Sequence, residues 1–135
     1  MREILFRGQT RKFGEKVNVN GDKQPSKWVY GGIFCGKGDF SVIYGGETEN
    51  EIEKHVVYSN TVGQYTGLCD KNDKRIFDGD IIKTKYDIVV ARWANTGFVP
   101  YRNQNGKFTK VTNWESVVNG EIIGNIHDNP ELVAP

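Results

Sequence analysis

Short apolar runs, many of them alternating with polar residues, are separated along this chain by glycine, asparagine and aspartate. Glu3–Arg7 (EILFR) puts Ile4 and Phe6 on one face and Leu5 on the other, the period of a strand. Gly8–Gly14 breaks that pattern. Val17–Val19 is a weaker strand candidate, followed by a turn at Asn20-Gly21-Asp22 and a loop through Pro25-Ser26. Lys27–Cys35 is apolar but interrupted by Gly31-Gly32, which predicts a strand with a bulge or tight bend. Beyond a turn at Gly36–Asp39, Phe40–Tyr44 alternates again, with Phe40, Val42 and Tyr44 on one face.

The middle of the chain is less regular. Glu47–His55 carries glutamates at alternate positions and predicts a short irregular or helical turn. Val56–Tyr58 and Val62–Leu68 are apolar runs on either side of Ser59-Asn60. Ile81–Lys85 and Ile88–Trp93 are strands by their β-branched content, joined by a short turn near Tyr86-Asp87. Asn95-Thr96-Gly97 marks another turn. Phe98–Tyr101 and Phe108–Val111 flank Asn103–Gly106, where Asn105-Gly106 is the strongest hairpin signal in the chain. Trp114–Val118 predicts one helical turn ended by Asn119-Gly120. Glu121–Ile126 is a last strand, stopped by Asp128-Asn129-Pro130.

Composition supports a strand-rich reading. Glycine makes up 16 of 135 residues and the apolar fraction is 37%, against typical values of about 7% and about 45–50%, the latter counting glycine. Length predicts a single domain, 1–135, with room for an N-terminal β subdomain (1–60) and a barrel-like part (61–135). The expected fold is mainly β. A small SH3-like or OB-like barrel is built around Thr66–Trp93, an N-terminal β subdomain packs on it, and helix is limited to a few short turns. No run approaches the ~18–20 apolar residues of a membrane span, and the charged N-terminus lacks a signal-peptide core. A cytoplasmic protein with no membrane association is expected. Two distant cysteines, Cys35 and Cys69, then read as packed thiols.

Charge changes the picture locally rather than globally. The net charge is +1, so no polyelectrolyte argument applies to the whole chain. Residues 1–31 nevertheless carry seven basic groups against three acidic ones, and residues 47–54 carry Glu47, Glu49, Glu51 and Glu53 against Lys54. No acidic residue occurs between Asp87 and Glu115. That stretch interleaves Arg92, Arg102, Lys107 and Lys110 with Trp93, Phe98, Tyr101, Phe108 and Trp114. Cations beside stacking aromatics suit single-stranded nucleic acid on a small barrel. The candidate nucleic-acid site is therefore Arg92, Trp93, Tyr101, Arg102, Lys107 and Lys110. The competing reading is that the aromatics face the core and the cations face solvent.

Reactive chemistry finds little support. Asp70-Lys71-Asn72-Asp73-Lys74 invites comparison with a calcium loop. Counting from Asp70, however, the fifth position is Lys74, the sixth is Arg75 and the twelfth is Ile81, and an ammonium cannot ligate a cation. An Asx-type turn, with Asp70 and Asn72 serving local amides, accounts for the segment. Asp78-Gly79-Asp80 offers paired carboxylates, but a glycine at positive φ before Ile81-Ile82 reads as a turn feeding a strand. An enzyme using Asp78 and Asp80 requires a pocket that holds both. His55 and His127 are isolated, and no metal-ligand spacing, nucleophile elbow or phosphate loop occurs. No catalytic residue, metal or cofactor is expected.

Three segments carry a family resemblance: REILFRG (Arg2–Gly8), QYTGLCDKNDKRIFDGDII (Gln64–Ile82) and IIGNIHDNPEL (Ile122–Leu132). In that order they resemble the opening strand, central signature and closing motif of the YopX family of phage and prophage proteins. Asp73 stands where the family usually has glycine, and Asp78 where it often has glutamate. The resemblance implies a mainly β protein encoded by phage, prophage or mobile elements, and it supplies no catalytic residues. The expected role is that of a non-enzymatic accessory protein acting by binding or assembly. It would act as a homo-oligomer or with a phage or host protein, exposed strand edges offering one route. The nucleic-acid-binding barrel is the alternative.

Overall fold

The period-two runs of the first half form an antiparallel sheet. The computed structural model describes residues 4–10, 27–34, 38–48, 51–85, 87–94, 97–104, 107–110 and 114–133. In the unit Ile4–Gln64, β1 (Phe6–Gln9) pairs with β2 (Trp28–Phe34), β2 with β3 (Phe40–Gly46) and β3 with β4 (Glu53–Tyr58). On its other side β1 meets the start of β5 (Gly63–Cys69) at Phe6↔Gln64 and Arg7↔Gly63. Alternate residues of these strands meet on one face, where Val29, Ile43 and Val57 are fully buried and Phe6, Ile33 and Val62 pack against them. A 3₁₀ turn at Ser59–Thr61 follows β4. Its Thr61 hydroxyl accepts the Gln9 N–H at 2.9 Å and donates to the Tyr58 carbonyl at 2.7 Å. Thr10 bridges Val57 on the outer side of β4.

Three expectations are corrected here. Gly8 does not break the first strand but lies inside it. A Cβ there would sit 2.8 Å from Val57 Cγ2, so glycine lets β1 approach the core. The Gly31-Gly32 pair makes no bulge, because the β2–β3 register runs through it unbroken, Gly31↔Gly45 and Gly32↔Tyr44. A Cβ on Gly31 would fall 1.9 Å from the Tyr44 carbonyl oxygen, and one on Gly45 1.8 Å from that of Tyr30. The two strands close together where neither has a side chain. Glu53–His55 is strand rather than helical turn, since its residues pair with Gly45, Tyr44 and Ile43.

The second unit runs from Tyr65 onward. There β5 pairs with β6 (Arg75–Phe77) at Tyr65↔Phe77 and Cys69↔Arg75, with a bulge between. A second antiparallel sheet has the order β10-β9-β8-β7-β11. Its strands are β7 (Asp80–Lys83), β8 (Ile88–Ala94), β9 (Gly97–Gln104), β10 (Lys107–Lys110) and β11 (Glu121–Asn125). Helix α1 (Trp114–Val118) places Val117 in a core with Ile76, Ile82, Val89 and Ala91, flanked by Leu68, Trp114 and Ile122. Asn119 and Gly120 end the helix, with the Gly120 N–H reaching the Val117 carbonyl.

The barrel expected around Thr66–Trp93 is not closed. Among the described residues the second sheet runs from β10 to β11 without pairing between those two edges. Side chains of α1, rather than a further strand, meet the Ile82–Val89 face. Strands β9 and β10 pair from Gln104↔Lys107, the register of a two-residue hairpin. The Asn105-Gly106 turn itself lies outside the described residues. So do Val17–Val19, Asn20-Gly21-Asp22, Pro25-Ser26, Cys35, Gly36, Tyr86 and Asn95-Thr96.

Candidate interaction surface

Three of the four aspartates of Gln64–Ile82, Asp70, Asp78 and Asp80, have carboxylates bonded to backbone amides. Asp70 is buried and follows β5. Its Oδ1 accepts the N–H groups of Asn72 (2.8 Å) and Lys74 (2.9 Å), and its Oδ2 accepts that of Ile122 at 3.0 Å. Burial raises its pKa. The three amides, with the Lys74 charge behind them, outweigh that and hold the carboxyl below the usual value of 3.8. One side chain thus shapes the β5–β6 turn and ties it to β11. Asn72 enters the turn through its backbone N–H. Asp73 adopts φ 63°, the left-handed conformation that favours glycine and tolerates aspartate.

The Asp78-Gly79-Asp80 turn follows the same logic. Gly79 has φ 92°, donates its N–H to the Ala91 carbonyl at 2.7 Å and accepts from Ile126 at 2.9 Å. Asp80, buried at the start of β7, accepts the Phe77 N–H at 2.8 Å. Asp78 accepts the Trp93 N–H at 2.9 Å. Cys69 is a half-buried free thiol 3.5 Å from the Tyr65 hydroxyl. Among the described residues no cluster of three or more His, Cys, Asp or Glu could hold a metal ion. No described helix is long and apolar enough to cross a membrane.

The basic and aromatic stretch is divided by strand parity. In the β8–β9 register Trp93 lies opposite Phe98, and Val89 opposite Arg102. Val90 opposite Tyr101 and Arg92 opposite Val99 fall on the reverse face. Trp93 is 59% exposed and meets Phe98 edge-on at 4.9 Å. Arg92 and Tyr101 instead line a recess of roughly 320 Å³ with Val90 and Ile126. The acid-free character of this stretch does not survive folding. Arg92 Nε lies 3.5 Å from Asp78 Oδ1, and Arg102 Nε pairs with the Asp87 carboxylate. Lys107 and Lys110 lie on β10, and their side chains are outside the described residues. The structure therefore brings Arg92 and Tyr101 together and sets Trp93 and Arg102 on the other face.

Among the described residues, several exposed apolar side chains gather on the first sheet, on the face away from Val29, Ile43 and Val57. Phe34, Val42 and Val56 form one cross-strand row, and Gly32, Tyr44 and Lys54 form the next. Phe34 is 66% exposed, Tyr44 52% and Val56 38%. Phe40 and Tyr58 extend the patch, their rings 5.4 Å apart. Lys27 and Glu47 form an ion pair at 3.7 Å. Strands β2 and β3 thus carry apolar residues on both faces.

The turn-and-strand grammar of the second unit joins the central and closing motifs at Asp70 and Gly79. The sequence pattern of that description, the YopX protein family, matches residues 21–134. The chain belongs to the YopX family. No curated protein matches the chain. The YopX match covers the central signature and the closing motif, and the two are bonded through the Asp70–Ile122 contact.

Sequence reasoning missed the outer face of the first sheet. The alternation Phe40–Val42–Tyr44 was visible, but Ser41 and Ile43 lie on the opposite face, and only Ile43 marks that face as apolar. The missing signal was the combined parity of three strands: Val29, Ile43 and Val57 select the core face, which leaves Phe34, Tyr44 and Val56 outside.

Proposed function

We propose that this YopX family protein is a non-enzymatic accessory protein of phage or prophage, working in the cytoplasm, that acts by binding another protein through the outer face of its first sheet. The observation that carries this reading is the in-register row Phe34–Val42–Val56 with Tyr44 beside it, which leaves contiguous apolar side chains exposed to water. Contiguous exposed apolar surface of several hundred Å² commonly marks an interaction site, and sheet faces associate by burying such rows. The face is favoured over the edge as the route. Thr10 already bridges Val57 on the outer side of β4, and Glu53 and Lys54 charge the rest of that edge, a pattern that discourages strand addition. Supporting the absence of chemistry, Asp70, Asp78 and Asp80 are bonded to backbone amides as structural groups.

The test places a photoreactive amino acid at Tyr44 and, as control, at exposed Lys71, in the host cell. The reading expects a protein adduct from position 44 and none from position 71. No adduct from position 44, or adducts equal at both, would refute it.

A second reading, nucleic-acid binding through Arg92, Trp93, Tyr101, Arg102, Lys107 and Lys110, is favoured by the exposure of Trp93 against Phe98. A nucleic-acid adduct from a probe at Trp93, lost when salt is raised, would support it.

A further inference from the structure

We propose that the recess lined by Val90, Arg92, Tyr101 and Ile126 is a binding site for a small carboxylic acid that carries an apolar ring. The proposal goes beyond the association reading and does not rest on it, since every one of these residues lies in the second unit. Strand parity builds the floor. Val90 lies opposite Tyr101, and Arg92 follows two positions along β8 opposite Val99, so these residues share the face turned away from Val89 and Ala91. Ile126 supplies a wall, and the backbone holds it over β8. The Gly79 N–H donates to the Ala91 carbonyl at 2.7 Å, and the Ile126 N–H donates to the Gly79 carbonyl at 2.9 Å. The Asp78-Gly79 turn thus carries the segment after β11 onto the middle of β8.

Two side chains give the recess its chemistry. Arg92 is half-exposed, and its Nε lies 3.5 Å from Asp78 Oδ1. That is longer than the about 2.7–2.9 Å of a charge-assisted hydrogen bond, and the same oxygen already accepts the Trp93 N–H at 2.9 Å. Asp78 therefore steers the guanidinium without exhausting its five donors, and a planar guanidinium grips a carboxylate through two parallel bonds. Tyr101 brings an aromatic ring and a hydroxyl to the same recess. Its ring, with Val90 and Ile126, offers apolar surface to a ring of the ligand. At roughly 320 Å³ the recess falls at the lower end of the about 300–1,000 Å³ of small-molecule sites, which combine mostly apolar walls with a few polar groups that fix orientation. A single guanidinium, part of whose charge Asp78 already balances, suits a monoanion rather than a multiply charged phosphate.

NMR titration of the isotope-labelled full chain with 2-naphthoate tests this, beside 2-naphthalenemethanol, a neutral molecule with the same ring. Naphthoate should shift the backbone amides of Val90, Arg92, Tyr101 and Ile126 saturably and leave those of Ile43 and Tyr44 in the first sheet unmoved. The dissociation constant should be about 1 mM or below, from the affinity per atom usual in ligands of this size. The alcohol should bind about ten-fold more weakly, for want of the charged acceptor. Arg92→Gln keeps most of the stem and removes the charge. It should weaken naphthoate about ten-fold and leave the alcohol unchanged, a split that mere collapse of the recess would not produce. No saturable shift at the four amides by about 10 mM naphthoate overturns the proposal. Equal affinity of the parent for acid and alcohol overturns it as well, and that comparison needs no variant to fold. So does an Arg92→Gln variant that binds naphthoate as tightly as the parent.

Discussion

Replacing Asp70 with asparagine isolates one contact that joins two parts of the family signature. Asparagine keeps the shape of the side chain and keeps one oxygen. If that oxygen occupies the Oδ1 position, it still accepts from Asn72 and Lys74. The other position then becomes an NH₂ group facing the Ile122 N–H, where Oδ2 accepts at 3.0 Å in the parent. Two donors face each other at a buried site. Loss of a hydrogen bond to a charged acceptor costs about 1.5–3 kcal/mol, so Asp70→Asn should destabilise by about 2–3 kcal/mol, a large share of a typical 5–15 kcal/mol. The pH dependence carries the sharper test. The folded-state carboxyl is held below its usual value of 3.8, so its contribution is present above about pH 4 and is lost as pH falls through the folded value. Urea unfolding of parent and variant from neutral pH down to about pH 3 should show a gap in midpoint that is full at pH 7 and narrows in acid. A gap below about 0.5 kcal/mol at neutral pH, or one that stays constant into acid, would refute the structural role given to Asp70.

Other positions follow from the same geometry. Asp73 at φ 63° should accept glycine with a change within about 0.5 kcal/mol, because relief of strain and added chain entropy offset each other. Asp73→Val should lose about 1–2 kcal/mol in the same unfolding assay. Gly8→Ala should destabilise by about 1–3 kcal/mol, since its Cβ would fall 2.8 Å from Val57 Cγ2 in an already packed core; an unchanged melting temperature would show that β1 can shift. Because Arg92 and Arg102 already face Asp78 and Asp87, a single-stranded oligonucleotide should bind no tighter than about 10⁻⁴ M at physiological salt. Micromolar affinity abolished by Trp93→Ala in a fluorescence titration would instead favour the nucleic-acid reading.

Much of the strand grammar was legible because its determinants are local. Asn119-Gly120 stopped α1, β-branched residues built β7 and β8, and Gly79 took the positive φ that its place before Ile81 demanded. Glycines misled where their cause was distant: Gly8 answers to Val57, and Gly31 answers to Tyr44 and Gly45, none of them a sequence neighbour. The interaction surface was hidden for a related reason. β2 and β3 carry apolar residues on both faces, so alternation alone could not say whether Ile43 or Tyr44 points inward. Only pairing three strands decides that. The acid-free stretch failed as a guide to local charge because Asp78 and Asp87, on either side of β7, return to Arg92 and Arg102 through the register of the sheet.

Hydroxyl-radical footprinting in the host cell tests the central claim most directly, with each residue's oxidation rate divided by its rate in the unfolded chain. Phe34, Tyr44 and Trp93 have comparable exposure in the isolated chain, at 66%, 52% and 59%, so Trp93 serves as an internal reference. The account predicts that Phe34 and Tyr44 are protected several-fold relative to the dilute purified protein while Trp93 reacts as before. Phe34 and Tyr44 reacting in the cell as fast as in dilute solution would contradict it, and protection of Trp93 alone would move the functional surface to the second sheet.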